Sequence, residues 1–252
     1  MKSHRRVGGA GRRRTAVAML AEVGDELLSL ADQLEALQDH EWEVESLCRG
    51  WTVKDVVAHL TLSTRESLAE VVVPLLRSRG DFDLVTAVRA RDRAQRFTCT
   101  ELIAQLRAMA GVDRRFALSG RLDPLVDVLV HGQDIVRPLN RTRGMAVERA
   151  VPALEHVWAS RFLNPRKRFD GIRFVATDAT WARGHGPLEL RATAGNLLLV
   201  ATGRPAGLQG LHGAAVDAAA TRLASSACDV AEQRTSLRFS LSGDRSRRRR
   251  PG

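Results

Sequence analysis

Asp123-Pro124-Leu125-Val126-Asp127-Val128-Leu129-Val130-His131-Gly132-Gln133-Asp134-Ile135-Val136 is the stretch on which the architecture turns. An acid followed by proline is a helix start, because proline has no N–H to leave unbonded and its φ is already helical. Pro138 closes the segment. Asp127, His131 and Asp134 stand at i, i+4 and i+7, so they share one face of a mostly apolar helix. Such groups are costly in apolar surroundings unless they find partners. A cation held by Asp127 and His131 one turn apart, with a third donor from another helix, meets that need. A buried, hydrogen-bonded histidine–carboxylate pair meets it equally well.

Working outward, the third donor is sought upstream. Thr52-Val53-Lys54-Asp55 reads as a helix start, with Thr52 as N-cap and an acid in the first turn. His59 follows among Val56, Val57, Ala58 and Leu60, an apolar setting that again asks for a partner. Helices of a bundle can turn such groups toward a common interior point. Cys48 reads as a buried, inert cysteine and Trp51 as a packing anchor. His185 reads as a loop histidine in a Gly-rich turn, and His4, His40, His156 and His212 have no acid or cysteine at ligand spacing that singles them out.

Apolar residues at helical spacing predict a long helix over 15–38 and a further apolar stretch over Leu68–Leu76, interrupted by Pro74. Residues 83–97 are compatible with a helix. Another amphipathic segment, capped by Thr100, carries Leu102, Ile103, Leu106 and Met109 and stops at Gly111. Four or more helices with modest connections and no convincing strand make an antiparallel helical bundle the economical fold up to about residue 142. After Gly144 the pattern changes. A helix over 148–162 precedes two alternating segments, 172–177 and 188–192, separated by Gly184-His185-Gly186-Pro187 and expected to pair antiparallel. Helices follow over 194–201 and 214–227. The reading is thus mainly α with a small α+β C-terminal part: a basic tail at 1–14, a bundle at 15–143, an α+β domain at 144–242 and a second basic tail at 243–252.

The 252 residues are 44% hydrophobic and 27% charged, a globular profile rather than a disordered or collagenous one. No apolar run is long enough for a membrane-spanning helix. Three scattered cysteines, Cys48, Cys99 and Cys228, exclude a disulfide framework and suit a reducing cytoplasm. The formal charge of +10 belongs to the two tails, which hold eleven basic residues and one acid. The intervening 28 basic and 28 acidic residues cancel, so no specific nucleic-acid interface is expected on the folded body. Salt-dependent polyanion binding by the arginine tails is the residual possibility. The basic start runs into Glu22, Asp25 and Glu26, unlike a secretory signal, and translation can begin at Met1 or Met19. No G-x-S-x-G, Walker or G-x-G-x-x-G motif occurs.

The run from Cys48 through Gly50-Trp51-Thr52-Val53 and Asp55 to His59-Leu60 resembles the signature of mycothiol-dependent maleylpyruvate isomerase-like proteins. The segment 127–135 resembles their second metal-ligand helix, and Phe174–Asp178, Trp181, Gly184, Gly186 and Gly195–Arg204 resemble their C-terminal domain. The resemblance spans about 20–225. It implies a DinB-like four-helix bundle holding a divalent metal, usually zinc, and a small sterol-carrier-like α+β domain. It implies an actinobacterial cytoplasm with mycothiol as the thiol, and thiol-assisted isomerisation or thiol transfer on a small electrophilic substrate. Carried over by position, the metal ligands are His59, Asp127 and His131, and Arg204 is the substrate-facing arginine. Asp127 departs from the family pattern, which has glutamate there. The alternative from another class is a non-catalytic bundle that binds a metal or a small ligand.

Overall fold

Leu27, Leu30 and Leu34 recur every three or four residues along helix α1 (Val7–Glu35), and all three are buried. The computed structural model describes residues 7–62, 82–112 and 120–225, so the expected Leu68–Leu76 stretch, Cys228 and the 243–252 tail lie outside the described residues. Two compact units are present, Met1–Ala153 and Leu154–Gly252. The protein is mostly helical, with one small sheet.

In the first unit, α1 packs against α4 (Cys99–Met109) and α5 (Asp123–Val136). Helix α2 (Val53–Leu60) packs against α3 (Phe82–Arg96), α4 and α5. Leu102 and Leu106 of α4 and Leu125 and Leu129 of α5 are fully buried, each contributing roughly 1.5–3 kcal/mol of apolar burial. Helix α1 begins at Val7, so residues 7–14, expected in the basic tail, are helical. Extending an existing helix costs far less than nucleating one, which is why the arginine-rich stretch joins it.

The caps follow side-chain chemistry. Thr52 accepts from Asp55 N while the Asp55 carboxylate accepts from Thr52 N, a reciprocal capping box. Thr98, not Thr100, caps α4, because Thr98 stands three residues before Glu101 and completes the same box. Asp123 is the first residue of α5 rather than its N-cap, which is Leu122; its carboxylate accepts from Gly120 N at 2.6 Å.

A buried ionic clamp ties the end of this unit to α1. Arg143 pairs with Glu26, whose other oxygen accepts from Arg149 at 2.6 Å. Arg143 reaches Glu26 across Gly132, where a built Cβ would stand 3.0 Å from the arginine Nε. A glycine next to His131 thus opens the path for the clamp.

In the second unit, β1 (Ile172–Ala176) is the central strand of the order β2–β1–β3. It pairs antiparallel with β2 (Ala182–Arg183) and parallel, in register Ile172↔Leu188 to Ala176↔Ala192, with β3 (Leu188–Ala192). The expected antiparallel pairing of the two long strands is therefore corrected. The chain returns along one edge of β1 as β2, then crosses the start of β1 to its other edge. That crossing brings backbones together: a Cβ at Gly184 would stand 2.3 Å from Ile172 O, and one at Gly186 2.1 Å from Gly171 O. Both glycines have positive φ, +86° and +125°, so only glycine suits the path. Trp158, Phe169, Phe174 and Trp181 form an aromatic cluster with centroids 5.0–6.0 Å apart. The helix α6 (Val147–Ala159) supplies Trp158, and the apolar helix over Ala194–Ala201 is buried along nearly its whole length. Among the described residues, no helix is long and apolar enough to cross a membrane.

Candidate metal centre

Residues 45–53 form a closed loop rather than a passive linker. Trp51 N donates to Cys48 O at 2.9 Å across a β-turn whose third residue, Gly50, has φ +75°. Ser46 braces the turn from inside. Its hydroxyl contacts Trp51 O at 2.9 Å and receives a hydrogen bond from Cys48 N at 3.1 Å. Arg91 of α3 donates to Gly50 O at 2.8 Å. Leu47 N donates to Asp134 O at 3.1 Å, which docks the loop on helix α5.

That docking delivers Cys48 to the face read from the sequence. Its Sγ lies 3.2 Å from Asp134 Oδ2 and 3.6 Å from His131 Nδ1. His131 Nδ1 and Asp134 Oδ2 are 2.9 Å apart. Asp134 is fully buried and the His131 side chain is 12% exposed. Among the described residues, Cys48, His131 and Asp134 are the His, Cys, Asp or Glu group of three or more whose donor atoms all lie within 4.8 Å of one another.

His59 arrives from α2 because Val53, Val56, Val57, Ala58 and Leu60 bury the rest of that short helix. Its ring meets His131 edge-on at 5.1 Å between centroids and meets Trp51, also edge-on, at 5.4 Å. The two histidines chosen from sequence are therefore neighbours. Asp127 is half-buried, one turn before His131 on α5, and is not a member of the close donor group. Sequence reasoning named Asp134 as a third group on the helix face but passed over Cys48. The signal available was its position at the head of the Cys48–Leu60 run.

Burial alone disfavours the imidazolium of His131. Its hydrogen bonds to Asp134 and Cys48, and the electrostatic pull of both, outweigh that cost and raise its pKa from 6.5 to about 10. The carboxylate behind Nδ1 also fixes the ring, the arrangement that ordinarily orients a metal-binding histidine. Sulfur, imidazole nitrogen and carboxylate oxygen within a few ångströms make a donor set suited to zinc and similar borderline cations. The residues present fit a divalent metal.

Arg204 belongs to the second unit. It precedes the 3-10 helix Pro205–Leu208 and donates to Thr202 O at 2.8 Å. Arg168 lies against Gly203, with Nη1 3.2 Å from where a Cβ would stand. Burial, and then the like charge of Arg204, push the Arg168 guanidinium below its ordinary pKa.

The family model for the mycothiol maleylpyruvate isomerase N-terminal domain matches residues 20–124, a span that contains Cys48 and His59 and ends just before Asp127. No curated protein matches the chain. A crystal structure of the mycothiol-dependent maleylpyruvate isomerase is similar at 10% identity and TM-score 0.47, covering 80% of this chain and 92% of that one. A histidine-to-alanine mutant of that isomerase is similar at 10% identity and TM-score 0.49 over the same shares. Residues 20–124 are thus similar to the mycothiol maleylpyruvate isomerase N-terminal domain.

Proposed function

We propose that the protein is a metal-dependent, mycothiol-using enzyme that isomerises, or transfers a thiol to, a small electrophilic substrate in the cytoplasm. On this reading the helical unit is a DinB-like four-helix bundle and the C-terminal unit is sterol-carrier-like. The observation that carries the proposal is the meeting of His59 and His131, ring to ring, with Asp134 fixed behind His131. His131 belongs both to the set expected from the family, His59–Asp127–His131, and to the close group Cys48–His131–Asp134. Zinc is the cation this chemistry favours.

A divalent cation at His131 supplies the Lewis acidity that keeps a coordinating thiol deprotonated at neutral pH. The chain's residues prepare the place. Asp134 holds the His131 ring in one orientation, and the docked 45–53 loop fixes Cys48 and Trp51 around it. Buried Val53, Val56 and Val57 line α2 with apolar surface and lower the local dielectric, so charge interactions there are stronger than in water. Arg204 is proposed to bind a substrate carboxylate by charge-assisted hydrogen bonds. Its neighbour Arg168 adds positive charge favourable to an anion.

The test is elemental analysis with turnover. Purified protein should carry about one divalent ion per chain and convert maleylpyruvate, or consume an electrophile, only when mycothiol is present. His131→Ala should lose the metal and the activity together, and Arg204→Lys should raise KM more than it lowers kcat. Metal without thiol-dependent turnover would replace this reading with a non-catalytic metal-binding bundle. Protein with no metal affinity would refute it.

A further inference from the structure

We infer that Cys48 is itself a metal ligand, so that the cation bound by this chain has a protein thiolate among its donors. The inference rests on the metal-centre reading above and goes beyond it in three respects: the 45–53 loop supplies a donor, His131 binds through Nδ1, and Asp134 passes from orienting that nitrogen to ligating the cation.

Three observations carry it. The first is spacing. Zinc bonds of about 2.3 Å to sulfur and about 2.0–2.1 Å to nitrogen and oxygen, at tetrahedral angles, separate S and N donors by about 3.6 Å and N and O donors by about 3.3 Å. The structure has Cys48 Sγ and His131 Nδ1 at 3.6 Å, and His131 Nδ1 and Asp134 Oδ2 at 2.9 Å. The separation of Cys48 Sγ from Asp134 Oδ2 is 3.2 Å, where about 3.5 Å suits tetrahedral zinc. A few tenths of an ångström of opening converts this hydrogen-bonded triangle into a ligand triangle.

The second is that the loop is built to hold the sulfur there. The Gly50 turn, the Ser46 brace, the Arg91 clasp and the Leu47–Asp134 backbone bond all fix the residues beside Cys48. Nothing in the packing of a merely inert cysteine requires a loop tied to the very residue its thiol faces. The third is donor chemistry. A thiol, an imidazole and a fully buried carboxylate converge, and three protein donors leave a fourth tetrahedral position for an exogenous ligand. On coordination the Cys48 S–H proton leaves to solvent as the sulfur bonds the cation, so binding releases a proton and involves no redox change.

Cobalt(II) makes the sulfur visible, because a thiolate–cobalt bond gives an intense near-ultraviolet charge-transfer band that nitrogen and oxygen ligands do not. The full-length protein, stripped of metal and titrated with cobalt(II), should develop this band at one equivalent. The band should vanish in Cys48→Ser and persist in the Cys99→Ser/Cys228→Ser double variant, with circular dichroism showing equal helicity in all three. In the unmutated protein, zinc should slow alkylation of Cys48 at least tenfold, read by peptide mass spectrometry. Cobalt bound without the band, or a band unchanged in Cys48→Ser, would overturn the inference and leave the metal centre on the His59 side of His131. Protein that takes up no cobalt or zinc would overturn the metal reading and this inference together.

Discussion

His131 Nδ1 and Asp134 Oδ2 stand 2.9 Å apart, one helical turn from each other, with the carboxylate fully buried. This pairing decides which way the histidine ring faces and how tightly it keeps a proton. Most of the chemistry proposed for the protein passes through it.

Replacing Asp134 with asparagine should therefore weaken metal binding without abolishing helix α5. A lost carboxylate behind or beside a metal-binding histidine typically lowers affinity about 10–100-fold. Competition titration of zinc against a chromophoric chelator measures this directly. An unchanged affinity would remove Asp134 from the site.

The pH dependence of the metal-free protein has a definite sign. The folded-state pKa of His131, about 10, lies above the unfolded value near 6.5. Protonated His131 is thus favoured by folding, and its contribution is complete below pH 6.5 and lost as pH rises toward 10. The Tm of metal-free protein should fall across that window more steeply than that of His131→Asn. Identical profiles would contradict the coupling.

The Glu26 clamp offers a test away from the site. Glu26→Leu would leave Arg143, itself buried, without its carboxylate, at a cost of about 3–5 kcal/mol. Urea denaturation should show the midpoint shifted accordingly. A loss below about 1 kcal/mol would mean the pair is solvated.

In the second unit, Gly186→Ala should destabilise by at least about 2 kcal/mol, since it adds strain at φ +125° and a Cβ 2.1 Å from Gly171 O. Thermal unfolding followed by tryptophan fluorescence is the measurement, read in a Trp42→Phe/Trp51→Phe background so that the signal comes from Trp158 and Trp181.

Thr52→Ala should cost about 1 kcal/mol by removing the capping box of α2. Because that eight-residue helix carries His59, cobalt affinity should fall along with stability. Asp55→Asn, which keeps part of the box, should do less of both.

Local sequence determined a great deal here. The i, i+4, i+7 face of α5, the Thr52 cap and the leucine spacing of α1 are governed by backbone periodicity and hydrogen bonding within a few residues, so helices and one candidate face were legible. His59 and His131 could be nominated because each breaks an apolar helix. Tertiary structure alone decided the rest. Cys48 is 83 residues from His131, and only the docking of Leu47 N on Asp134 O brings sulfur to imidazole. Likewise, alternation marks β1 and β3 as strands but is blind to direction. Their parallel pairing depends on a crossing at Gly184 and Gly186 that two backbones must share. Patterns in the chain report which way a side chain faces; which distant group it then meets is settled by how the elements pack.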